Sequence, residues 1–152
     1  MSSNEILDIR LDCLPPTINH YYRTGRNSVR YKTKAGSDFQ KLVVGVMKDA
    51  LLKSEQVVPY EGRVSVFITM TAKDRRRWDL DNRLKAVQDC LQIAGVLKDD
   101  SQIDELWITR ETMPKKDETR IRVLKREGDF MMPEKRKSGF RVSLNRGEGG
   151  QK

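Results

Sequence analysis

Two hydrophobic periodicities meet near residue 79, and their junction limits the fold more than any other feature. Val64, Val66, Ile68 and Met70 alternate with Ser65, Phe67, Thr69 and Thr71, which predicts a strand with one fully apolar face. Shortly after, Leu80, Leu84, Val87, Leu91 and Ala94 recur at helical spacing, predicting a helix from about Asp81 to Ala94. Gly95 suits the left-handed position that follows a last helical turn. The chain must therefore pass from strand to helix within a few residues.

The remaining elements extend this pattern. Residues Ile6 to Leu14 alternate well enough for a first strand, which Pro15-Pro16 ends. Thr17 to Gly36 is polar, aromatic and basic, and reads as a long surface loop. Ser37, with Gln40 three residues on, has the capping-box form and places a helix start there. Phe39, Val43, Val46, Met47, Ala50 and Leu51 give that helix its core face. Leu106 to Thr109 and Ile121 to Leu124 predict two further strands joined by a turn at Pro114 to Asp117. The order β-α-β-α-β-β implies an α/β (α+β) fold, with two helices against a small mixed sheet. One domain is expected over 1–127, with a basic, flexible tail over 128–152 that includes Lys135, Arg136 and Lys137.

Asp79 and Asp81 flank the predicted strand-to-helix junction, with Asn82 beside them. One aspartate would suffice to cap a helix; two exceed that need. Hard divalent cations such as Mg²⁺ take carboxylate oxygens together with substrate phosphate, so the pair is a candidate metal site. An EF-hand calcium loop is excluded, because Leu84 stands where glycine is required and Cys90 where the bidentate glutamate belongs. Lys85 follows Asp81 by one helical turn. It reads either as a surface ion-pair partner or as a group that stabilises charge on a scissile phosphate.

Basic residues crowd the same region. Lys73, Arg75, Arg76 and Arg77 lead into the acidic pair, and arginine docks phosphate bidentately. The loop after Thr17 interleaves Arg23, Arg26 and Arg30 with Tyr21, Tyr22 and Tyr31; these rings either stack on unpaired bases or pack on the core. The whole chain carries a formal charge of +8 with a pI near 9.6, which favours a polyanionic partner. Cys13 and Cys90 lack metal-ligand spacing and read as small core residues of a reducing compartment. No stretch approaches a membrane span and no signal-peptide pattern opens the sequence, so a cytoplasmic location is expected. With His20 the only histidine, chemistry must rest on carboxylates, lysine or metal.

Taken together, Asp79-Leu80-Asp81-Asn82 with Lys85, followed by Asp99-Asp100-Ser101-Gln102, resembles the RusA family of Holliday junction resolvases. The segment from Pro15 to Tyr22 is similar to that family's Pro-Pro-x-x-Asn-x-x-Tyr pattern, with Asn19 and Tyr22 at its polar positions. The resemblance spans about Leu11 to Val123. It implies a homodimeric, Mg²⁺-dependent endonuclease, with Mn²⁺ as a substitute, that cuts four-way DNA junctions by paired symmetric nicks. It places the catalytic and metal-holding aspartates at Asp79, Asp81 and Asp100 and the functional lysine at Lys85. A bacterial or prophage origin is expected with it. Trp78 stands where a basic residue would be unsurprising. Asp100 follows the second helix at the end opposite Asp81, so sharing of the active site between subunits is expected. The alternatives are a nuclease acting on other branched DNA or RNA, or a non-catalytic basic nucleic-acid-binding protein.

Overall fold

The structure, a computed structural model, describes residues 4–126. The basic tail expected over 128–152 lies outside the described residues. Among the described residues, six strands and three α-helices follow in order. They are β1 (Glu5–Leu11), α1 (Ile18–Tyr21), β2 (Tyr22–Thr24), β3 (Arg30–Lys32), α2 (Lys34–Lys53), β4 (Val64–Ala72), α3 (Leu84–Ile93), β5 (Ile103–Thr112) and β6 (Glu118–Lys125). One 3₁₀ turn, Asp81–Arg83, leads into α3, and another, Asp100–Gln102, precedes β5.

The main sheet has the order β1-β6-β4-β5 and is mixed. β6 pairs antiparallel with both β1 and β4, whereas β4 and β5 run parallel, as the α3 crossover between them requires. Val64, Val66, Ile68 and Met70 are buried as their alternation predicts, together with Leu7, Ile9, Ile121 and Val123 of the neighbouring strands. Against them pack Phe39, Val43, Met47 and Leu51 of α2 and Ala86, Val87, Cys90 and Leu91 of α3. The expected two-helix layer against a small mixed sheet is therefore the observed fold. The sheet also carries cross-strand ion pairs such as Arg120 with Asp8 (2.7 Å), and a stacked Phe67–Trp107 pair (6.2 Å between centroids).

The stretch from Thr17 to Gly36 is not one long loop. It forms α1 and an antiparallel β2–β3 hairpin in which Arg23 faces Tyr31 in register. Tyr21 is wholly buried and belongs to the core. The helix start also moves: Thr33, not Ser37, caps α2, its hydroxyl oxygen accepting from the Gly36 N–H at 3.0 Å. Gly36 belongs to the first turn because no side chain fits there. A Cβ would lie 2.6 Å from the Tyr21 carbonyl oxygen.

The second core helix opens with a 3₁₀ turn at Asp81 and becomes α-helical only at Leu84. Val87, Leu91 and Ala94 are its buried stripe, and Gly95 takes a φ of +75°, as a left-handed helix terminus needs. Cys90 is fully buried and its thiol is pushed up to about 12, first by burial and then by Asp89. It is a core residue.

Candidate active site

β4 ends at Ala72, and a segment over 73–80 carries Lys73, Arg75, Arg76, Arg77, Trp78 and Asp79 to the 3₁₀ turn that holds Asp81. Asp79 and Asp81 are both exposed. Asp79 Oδ2 accepts from the Asn82 side-chain amide at 3.2 Å, and Asp81 Oδ1 accepts the Asn82 backbone N–H at 3.0 Å. Asn82 thus orients one oxygen of each carboxylate. Such hard oxygen donors, oriented but solvent-facing, suit a hard divalent cation that keeps water and phosphate as its other ligands.

Asp100 is elsewhere in the subunit. It lies in the 3₁₀ turn at the exit of the crossover, whereas Asp81 lies at its entrance. The ten-residue helix between them, with its first 3₁₀ turn, is about 20 Å long. Among the described residues, no three His, Cys, Asp or Glu side chains come together to hold a metal. Asp79 and Asp81 are both tied to Asn82; Asp100 does not join them.

The turn around Asp100 is firmly held. Gln102 is buried, and its side-chain oxygen accepts the backbone N–H groups of Lys98 and Asp99, each at 2.9 Å. Its amide nitrogen donates to the carbonyls of Tyr60 (2.6 Å) and Gly62 (2.8 Å). Every hydrogen-bonding valence of this amide is used. Asp99 is committed to the turn, accepting from the Ser101 hydroxyl at 2.8 Å and capping the Gln102 N–H. The Ser101 hydroxyl, first among its hydrogen-bond donors, holds its carboxyl below the usual range. Of the acidic pair, Asp99 builds the loop and Asp100 is presented at the surface.

Lys85 does not pair with Asp81 but with Asp89, one turn further on, at 2.7 Å. Asp89 also accepts from the Tyr22 hydroxyl at 2.8 Å. Burial, then that bond to a carboxylate, raises the Tyr22 pKa. The Tyr22 ring meets Tyr21 edge-on (4.6 Å) and carries the Arg30 guanidinium 4.4 Å from its centroid. Asn19, Arg23 and Arg26 are exposed on α1 and the hairpin. Asp89 went unread in the sequence. The signal for it was an acid four residues after Lys85 on the same helix face.

The basic run is not uniform. Arg76 is folded back on Asp74, its Nε donating at 2.7 Å and its backbone N–H at 3.0 Å. Arg75 and Arg77 are exposed, with no such partner among the described residues. Trp78 contributes indirectly: Arg83 and Arg110 lie over its ring, at 5.0 and 4.4 Å from the centroid, and Arg110 donates to its carbonyl. A cleft of about 310 Å³ opens here, lined among others by Lys73, Arg76, Arg77, Trp78 and Arg83. Arg83, which also donates to the Pro15 carbonyl, is a cation of this surface that the sequence reading overlooked. Burial lowers its pKa.

Residues 13–136 match the family described as Endodeoxyribonuclease RusA. The Crossover junction endodeoxyribonuclease RusA of Escherichia coli is 32% identical over 101 residues, covering 66% of this chain and 80% of the relative. The namesake of Enterobacteria phage HK97 is 32% identical over 96 residues, covering 63% and 76%. That of Enterobacteria phage 82 is 31% identical over 101 residues, covering 66% and 80%. No described helix is long and apolar enough to cross a membrane. On the strength of a family match that spans most of the chain, this protein belongs to the RusA family of endodeoxyribonucleases.

Proposed function

We propose that this endodeoxyribonuclease resolves Holliday junctions with Mg²⁺ held by Asp79 and Asp81 of one subunit and Asp100 of a second, Mn²⁺ being able to substitute. The observation that carries the reading is the pair of exposed carboxylates oriented by Asn82 at the head of α3, with a run of arginines on one side in sequence and Lys85 on the other. When bound, the cation supplies Lewis acidity, making water a better nucleophile and offsetting charge on the phosphate oxygens. Arg75 and Arg77 hold the flanking backbone phosphates, with Lys73 and Arg76 beside them. Lys85 donates to a non-bridging oxygen of the scissile phosphate as negative charge builds there. Arg23, Arg26 and Arg30, with Asn19 and the ring of Tyr22 among them, form a second basic surface that a branched substrate can engage while its cut strand lies across the carboxylates.

A homodimer accounts for the separation of Asp81 from Asp100. In a two-fold pair with the α3 helices antiparallel, each subunit's Asp100 comes beside its partner's Asp79 and Asp81, and two related sites result. Paired nicks follow from that symmetry. The surroundings suited to this chemistry are the cytoplasm of a bacterium or a phage-infected cell.

The test is cleavage of a mobile four-way junction with and without Mg²⁺, beside linear duplex, flap DNA and RNA at one fixed salt concentration. Symmetric nicking of the junction alone, only with the cation, is the expected result. Equal cutting of RNA or flaps would reassign the substrate, and binding without any cutting would make the chain a non-catalytic binder.

A further inference from the structure

Asp89 occupies a position that helix stability does not explain. It lies in the middle of α3, beyond the first turn where the helix dipole would favour a carboxylate. Lysine preceding an acid by four residues is the weaker order for such a pair. Yet the carboxylate is tightly engaged, with Lys85 Nζ 2.7 Å from one oxygen and the Tyr22 hydroxyl donating to the other at 2.8 Å. The Asp89 side chain is only 14% exposed, against 45% for Lys85. The pair is thus anchored at its inner end and open at its outer end.

We infer that Asp89, held by the Tyr22 hydroxyl, is a positioning residue that fixes the Lys85 ammonium toward the scissile phosphate. The inference rests on the role given to Lys85 above. A lysine ammonium has three donors on a flexible stem. One goes to Asp89, and the other two remain for phosphate oxygens. The anchor reaches into the core: Tyr21, wholly buried, meets the Tyr22 ring edge-on, Tyr22 bonds Asp89, and Asp89 bonds Lys85. Two segments distant in sequence, Pro15 to Tyr22 and Asp79 to Lys85, are joined through this carboxylate as well as by the Arg83 bond to the Pro15 carbonyl. The Tyr22–Asp89 bond alone spans 67 positions of the chain.

The test is single-turnover cleavage of a four-way junction at saturating enzyme and Mg²⁺, with junction affinity and thermal midpoint measured on the same proteins. Asp89→Asn should cut about 10- to 100-fold more slowly, as misplacement of a reacting group does. Its affinity should stay within about twofold of wild type, because one such group adds little to total phosphate binding, and any fall in its midpoint should leave the protein folded at the assay temperature. Tyr22→Phe should show a smaller loss of the same kind, and serves where Asp89→Asn folds poorly. In a Lys85→Ala background, Asp89→Asn should add little further loss, since the ammonium that Asp89 positions is already gone. Wild-type cutting by Asp89→Asn, or losses that multiply with Lys85→Ala, would overturn the inference. So would a loss matched by equal falls in affinity and midpoint. Normal cutting by Lys85→Ala would instead overturn the role of Lys85 itself, which keeps the two failures distinct.

Discussion

Asp81 and Asp100 stand at opposite ends of the α3 crossover, with a helical stretch about 20 Å long between them. If both serve one cation, the site must be completed by a second copy of the chain. Mixing inactive Asp81→Asn with inactive Asp100→Asn protein should then restore nicking, because a heterodimer contains one site built from two unmutated halves. The readout is nicked junction on a denaturing gel after subunit exchange. No recovery at any mixing ratio would confine each site to one subunit.

The arginines before Asp79 should differ in their contribution to DNA affinity. Arg75 and Arg77 are exposed, whereas Asp74 already engages Arg76. Replacing Arg75 and Arg77 by Ala should flatten the slope of log affinity against log salt by roughly 2, about 0.9 per lost phosphate contact. Arg76→Ala should change the slope by less. A titration of junction binding across salt concentrations checks both, and an unchanged slope in the double variant would point these side chains away from DNA.

Gln102 should be a stability residue whose loss also reaches catalysis. Gln102→Leu leaves two backbone N–H groups and two carbonyls without their partner. The expected cost is about 2–4 kcal/mol, read from urea unfolding. Cleavage should fall further than the unfolded fraction explains, because Asp100 lies in the turn that Gln102 holds. Wild-type stability in this variant would mean that the loop is held by other contacts.

Acid should weaken the sheet through its ion pairs. The Arg120 hydrogen bond, chiefly, holds the Asp8 carboxyl below its ordinary value near 3.8, and Lys116 does the same for Glu118. A carboxyl depressed in the folded state contributes stability that is complete above its unfolded pKa. That contribution is lost as pH falls through the folded value. The thermal midpoint should therefore drop as pH falls below about 4, and Asp8→Asn should show a shallower drop. An equal drop in both proteins would assign the acid sensitivity to other groups.

The order of the main elements was legible because their periods are clean: Val64 to Met70 alternates, and Leu84, Val87 and Leu91 repeat at helical spacing. The hairpin was not, because β2 and β3 have three residues each and β3 is Arg-Tyr-Lys, too short and polar for alternation to register. Gly36 read as a loop residue, yet it sits in the first turn of α2 where Tyr21 leaves no room for a side chain. At the site, the placement of Asp79 and Asp81 just ahead of a helix followed from the change of period, but β4 ends at Ala72 and the segment over 73–80 separates it from that helix. The partner of Lys85 did not follow, because Asp81 and Asp89 are equally spaced from it in sequence. Only the hydroxyl of Tyr22, brought from far along the chain, singles out Asp89. Trp78 likewise stands where a basic residue would be unsurprising, and the fold gathers Arg83 and Arg110 around its ring.

On the function proposed here, Asp79 and Asp81 serve chemistry through a divalent cation rather than holding the fold or the DNA. The most direct measurement compares junction binding and Mg²⁺-dependent nicking by wild type, Asp79→Asn and Asp81→Asn at one salt concentration. Removing a negative charge from a phosphate-facing surface should leave affinity equal or tighter, while nicking is lost. Substantial nicking by either variant would contradict the metal assignment, and parallel loss of binding and nicking would make the carboxylates structural.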